Sequence, residues 1–127
     1  MTHESSSTVG RLLAGLGGAL PVVVVDSGSG DWERTAQVAA TSGARVLGIL
    51  QNVGYGTASN RGAWTCSTPW LAFVNPDVTV AAEGLVELCR SAEAHGFDAV
   101  APRLVATPGE EVTRPGPAGP PLPARVL

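Results

Sequence analysis

Lysine is absent from this 127-residue chain, and its eight basic residues are all arginine. A phosphate loop of the G-x-x-x-x-G-K-[ST] type, a Schiff-base lysine and a Ser–Lys nucleophile pair each need an amine on a flexible stem, so all three are excluded. The arginines at 11, 34, 45, 61, 90, 103, 114 and 125 never adjoin, and the acidic residues outnumber them to give a net charge of −3. Without a basic stripe the counterion release that drives nucleic-acid binding has no source, and no nucleic-acid partner is expected.

Cysteine is nearly as scarce. Cys66 and Cys89 cannot staple a scaffold, and with His3 and His95 they make no zinc spacing, so both are read as core residues. The longest strongly apolar run, Ala19 to Val25, is seven residues and contains Pro21. That is far short of the about 20 residues that span a bilayer. Met1 to Thr8 is polar rather than a basic-then-apolar leader, and a cytoplasmic protein is expected. Aromatics are few, and Trp32, Trp64 and Trp70 lie on or beside expected elements, where they are read as core.

What is present is an alternation. Val9, Leu12, Leu13 and Leu16 recur at helical spacing between a Ser/Thr cluster and Gly17-Gly18, which predicts a helix. Val22 to Val25 is a continuous β-branched run, the pattern of a strand buried on both faces. The spacing then predicts a helix over Trp32 to Ser42, a strand over Arg45 to Leu50, a helix over Thr57 to Thr65 and a strand over Trp70 to Val74. A helix over Ala81 to His95 and a last strand over Ala99 to Pro102 complete the series. Such alternation implies an α/β fold, Rossmann-like, with a mostly parallel sheet and helices on both faces. Residues 1–106 form the expected domain. Residues 107–127 hold six of the ten prolines and are expected to be an extended or disordered tail.

Ligands of open α/β sheets sit at the carboxyl ends of the strands, which directs attention to three loops. Asp26-Ser27-Gly28-Ser29-Gly30-Asp31 follows the first strand; alone it is an ordinary Ser/Gly turn before a capping Asp. It is not a dinucleotide fingerprint, because Glu33 occupies the third glycine position, and not a nucleophile elbow, because Ser27 stands where the first glycine belongs. The loop from Gln51 to Gly62 carries Asn52, Asn60 and Arg61 around Gly54 and Gly56. Two amides and a guanidinium can contact base, ribose or phosphate, and glycines let backbone come close. Asn75-Pro76-Asp77 is either a turn or one carboxylate of a Mg²⁺ or Mn²⁺ site completed by a substrate diphosphate.

Together and in this order the three segments resemble family 2 glycosyltransferases. Val24 to Asp31 is similar to their V-V-D-N-x-S-x-D, Asn52 to Gly62 to N-x-G-[FY]-[GA]-x-[AG]-x-N-x-G, and Phe73 to Val78 to F-L-N-P-D-V. Thr2-His3-Glu4-Ser5 resembles the T-Y-N-S that ends the family's first strand, so the likeness runs from residue 2 to about 105. Within the family, Gly54 to Ala58 and Asn75 to Val78 are similar to rhamnosyltransferases of cell-wall linker synthesis.

The resemblance implies a GT-A fold that binds a dTDP- or UDP-sugar and transfers a hexosyl or rhamnosyl group to a glycan or lipid-linked acceptor of the cell envelope. An acceptor of that kind could bring the protein to a membrane surface peripherally. Asp26 and Ser27 would lie at the nucleobase or ribose, and Asn52, Gly54, Asn60, Arg61 and Asn75 would line the nucleotide-sugar. Asp77 would hold the divalent cation, Mg or Mn, on the diphosphate. Ser27 replaces the family's Asn, and His3 stands where it has a base-stacking Tyr. The resemblance also implies a first strand before Thr2 and an acceptor half beyond this chain, which carries the general base; no residue here is nominated for that role. The expected protein is thus a truncated donor-binding half, inactive alone, with a non-catalytic nucleotide- or partner-binding module as the alternative.

Overall fold

The computed structural model describes residues 1–103. Its elements run α1 (Ser6–Leu16), β1 (Val23–Ser27), α2 (Trp32–Thr41), β2 (Arg45–Ile49), α3 (Tyr55–Ala63) and α4 (Ala82–His95). Val9, Leu12, Leu13 and Leu16 are the buried stripe of α1, as their spacing predicts. The helix stops at Gly17, whose left-handed backbone (φ 58°) aims its N–H back at the carbonyls of Leu13 and Ala14.

β1 and β2 pair in parallel, with Val23 opposite Arg45 and Ser27 opposite Ile49. The valine run follows from what covers them. Val24 and Val46 join Val9, Leu13 and Ala39 of α1 and α2 on one face, while Val25 and Ile49 join Ala58 of α3 on the other. Side chains alternate along a strand, so a strand covered on both faces needs apolar residues at every position. α3 packs tightly on this face at Gly62, where a Cβ would lie 2.6 Å from Val25 Cγ2.

On the edge of β1 away from β2, Thr2 forms a parallel bridge with Asp26. The Thr2 N–H donates to the Val25 carbonyl at 2.7 Å, and the Ser27 N–H donates to the Thr2 carbonyl at 3.0 Å. This is the single pairing on that side among the described residues, and it explains the departures from expectation. Trp70–Val74 and Ala99–Pro102 are not strands; both run as irregular chain. A strand is completed only by a hydrogen-bonded neighbour, and neither segment has one.

The tryptophans also depart from expectation, since none is a core residue. Trp64 is 82% exposed. Trp32 lies half-exposed across Gly48, and Trp70 is part-buried with its indole N–H donating to Glu93. The two cysteines are free and part-buried. α3 starts two residues before the expected Thr57, because Gly54 adopts φ 79° and turns the chain straight into the helix. No helix among the described residues is long and apolar enough to cross a membrane. The expected tail, 107–127, lies outside the described residues.

Candidate functional site

Three chain segments meet at the carboxyl end of β1. The β1 to α2 loop turns at Gly28 (φ 71°), which lies so close to the backbone of Gln51 and Asn52 that no side chain fits. Asp26 is buried, and its carboxylate accepts the Ser29 N–H at 3.1 Å and the Ser29 hydroxyl at 2.7 Å. Ser27 is fully buried, and its hydroxyl oxygen accepts the Val53 N–H at 3.1 Å, tying the first loop to the second. In the second loop the exposed Asn52 uses its side-chain oxygen to hold the Gly54 N–H at 3.0 Å, directly before α3.

The segment after Thr2 closes over this loop. The His3 ring Nδ1 is 2.9 Å from the Ser27 carbonyl, which can only accept, so the proton sits on Nδ1. The Ser6 N–H at the head of α1 donates to the carboxylate of Asp31, the residue that precedes α2, at 3.3 Å.

Between this segment and the 75–77 turn lies an open cleft of about 410 Å³. Its wall includes His3, Glu4, Tyr55, Asn75 and Asp77, with Ser7 and Thr8 from the first turn of α1. Of the residues expected at a ligand, His3, Asn75 and Asp77 are therefore brought together. Asp26 and Ser27 stand behind the wall, buried, and organise the loops. Gly54 precedes Tyr55 at the entrance to α3, whereas Asn52, Asn60 and Arg61 are exposed away from the cleft lining.

Glu4 and Tyr55 belong to the cleft without having been singled out from sequence. Both sit inside the recognised segments, so the signal was position within a motif rather than residue type. The cleft wall has two carboxylates, Glu4 and Asp77, and no arginine. Met1 also borders it, and burial holds its ammonium below the ordinary α-amino pKa, which weakens its charge. A diphosphate entering here therefore needs a cation to offset the carboxylates. Among the described residues no three His, Cys, Asp or Glu side chains gather into a closed metal cage. Asp77 presents one carboxylate, a hard oxygen donor, at the cleft wall.

These features define an α/β protein with a polar cleft at the carboxyl rim of its parallel strands. Residues 4–123 match glycosyl transferase family 2, and the chain belongs to that family. The family implies an α/β fold of the GT-A type, glycosyl transfer, and binding of a nucleotide-sugar donor and an acceptor; the small parallel sheet between helices agrees with that fold. No curated protein and no solved structure matches the chain.

Proposed function

We propose that the cleft binds the nucleoside-diphosphate part of a dTDP- or UDP-sugar, as the donor site of a hexosyl- or rhamnosyltransferase serving cell-envelope or polysaccharide acceptors. One observation carries the reading: residues 72 or more positions apart in sequence, His3 on one side and Asn75 and Asp77 on the other, face one cleft. His3 offers a flat ring to the base and Asn75 an amide to the sugar or phosphates. Asp77 holds Mg or Mn, and a cation bound there supplies Lewis-acid stabilisation of the departing diphosphate. Asp26 and Ser27 act one layer behind, holding Ser29 and Val53 in place. A cytoplasmic location is part of this proposal.

Donor binding without turnover is part of the same proposal. An inverting transfer needs a base within reach of the acceptor hydroxyl. In the cleft Glu4 accepts the Gly30 N–H and the His3 ring donates through Nδ1 to the Ser27 carbonyl, so both hold the loop, and Asp77 is given to the cation in this proposal; none of the three is assigned to an acceptor hydroxyl. Titration calorimetry with UDP and dTDP, with and without Mn²⁺, tests the reading. Binding is expected only with the metal, and Asp77→Ala is expected to weaken it by about tenfold or more, the loss of one charge-assisted contact. Equal binding by parent and Asp77→Ala would refute the role of Asp77, and efficient glycosyl transfer by the purified chain would refute the inactive donor-half reading.

A further inference from the structure

Glu4 is the single non-glycine residue among the described residues whose backbone enters the left-handed region, at φ 51°. The turn carries the chain from the Thr2 bridge on β1 to the head of α1 at Ser6. Glycine would take that conformation without strain, so a glutamate there calls for a reason outside the turn itself. Packing does not supply one, since Glu4 is exposed.

Its hydrogen bonds do. The Glu4 N–H donates to the Ser29 hydroxyl oxygen at 2.9 Å, and the Glu4 carboxylate accepts the Gly30 N–H. Ser29 in turn donates its hydroxyl and its N–H to the buried Asp26. One residue earlier, the His3 ring donates to the Ser27 carbonyl of the same loop. The 3–4 segment is thus stitched to the 26–30 loop at three points, and the strained turn aims the glutamate side chain at the only one a carboxylate can make.

We propose that Glu4 is a positioning residue for the nucleoside half of the donor. By holding the Gly30 N–H it fixes the 27–30 loop, and the loop fixes the His3 ring at the cleft. The bond requires an acceptor oxygen, not a negative charge, so glutamine serves and alanine does not. This inference rests on the donor-binding reading above and concerns the base and ribose end alone, because the diphosphate end depends on Asp77.

The test is titration calorimetry with three probes, UDP, dTDP and inorganic pyrophosphate, each with Mn²⁺, on the parent chain and on Glu4→Ala, Glu4→Gly and Glu4→Gln. Loss of one hydrogen bond to a charged acceptor predicts that Glu4→Ala and Glu4→Gly bind the parent's preferred nucleotide about tenfold more weakly, while Glu4→Gln stays within about threefold. Pyrophosphate affinity does not fall in any of the three variants, since each only removes a cleft carboxylate from the diphosphate's surroundings. Glu4→Gly relieves the left-handed strain and keeps the N–H to Ser29, so its melting temperature stays close to the parent's while nucleotide binding falls, which separates positioning from folding. Nucleotide binding by Glu4→Ala equal to the parent's overturns the inference, as do equal losses for nucleotide and pyrophosphate or a Glu4→Gln variant as weak as Glu4→Ala. A parent chain that binds neither nucleotide overturns the donor-binding reading itself and this inference with it, an outcome recognised by its appearance in the parent.

Discussion

Replacing Gly28 with alanine tests whether the first two loops are pressed together as tightly as the structure requires. Two costs apply. The backbone at Gly28 has φ 71°, and a side chain in that region costs about 1–2 kcal/mol. The added Cβ would also lie 2.5 Å from the Asn52 nitrogen and 2.6 Å from the Gln51 carbonyl carbon. Both are backbone atoms that no rotamer change can move, so the second loop itself must shift, an overpacking cost of about 1–3 kcal/mol. Such a shift also strains the bond from the Val53 N–H to the Ser27 hydroxyl.

Gly43 provides the control, having the same φ of 71° with nothing within 4 Å of its would-be Cβ. Gly43→Ala therefore carries the conformational cost alone. The expected losses are about 1–2 kcal/mol for Gly43→Ala and about 2–5 kcal/mol for Gly28→Ala, against a typical domain stability of about 5–15 kcal/mol. Urea denaturation of both variants and the parent, followed by far-UV circular dichroism, reads the difference as a shift in midpoint at constant slope. If Gly28→Ala proves no less stable than Gly43→Ala, the close approach of the two loops is refuted, and with it the structural role assigned to Ser27.

Two further outcomes concern stability. Thr35 on α2 is fully buried and its hydroxyl has no hydrogen-bond partner among the described residues; Thr35→Val keeps the shape, removes the unpaired group and is expected to stabilise the fold by about 1 kcal/mol, with a lower urea midpoint counting against it. The Met1 amine has its pKa lowered by burial, so the unfolded chain binds the extra proton between that lowered value and about 8. Stability should rise with pH across that interval and level off above it; acetylating the amine should remove this component, and an unchanged pH profile after acetylation would show that the amine is not desolvated.

Much of the fold is local information and was legible in the residues. The α1 stripe of Val9, Leu12, Leu13 and Leu16 and the valine run of β1 declare themselves because helix and strand have periods of 3.6 and 2, and burial follows the period. The first two motifs likewise marked loops of the rim, because the ends of the paired strands β1 and β2 must lie side by side.

What the residues could not declare depends on neighbours distant in the chain. Trp70–Val74 has the composition of a strand, yet a strand exists only in a ladder, and no ladder partner flanks it among the described residues. Asp26 and Asp77 read alike as rim carboxylates, but Thr2 and Ser29 enclose the first while the second faces the cleft. Glu4 carried no assigned role in the sequence, and its bond to Gly30 depends on a backbone angle that no pattern of side chains encodes. Sequence by itself determined the four helices, the first two strands and the family, since these follow from short-range periodicity and motif spacing. Which of the motif residues reach the cleft was decided by the tertiary structure, because burial and hydrogen bonding are properties of what lies opposite in space.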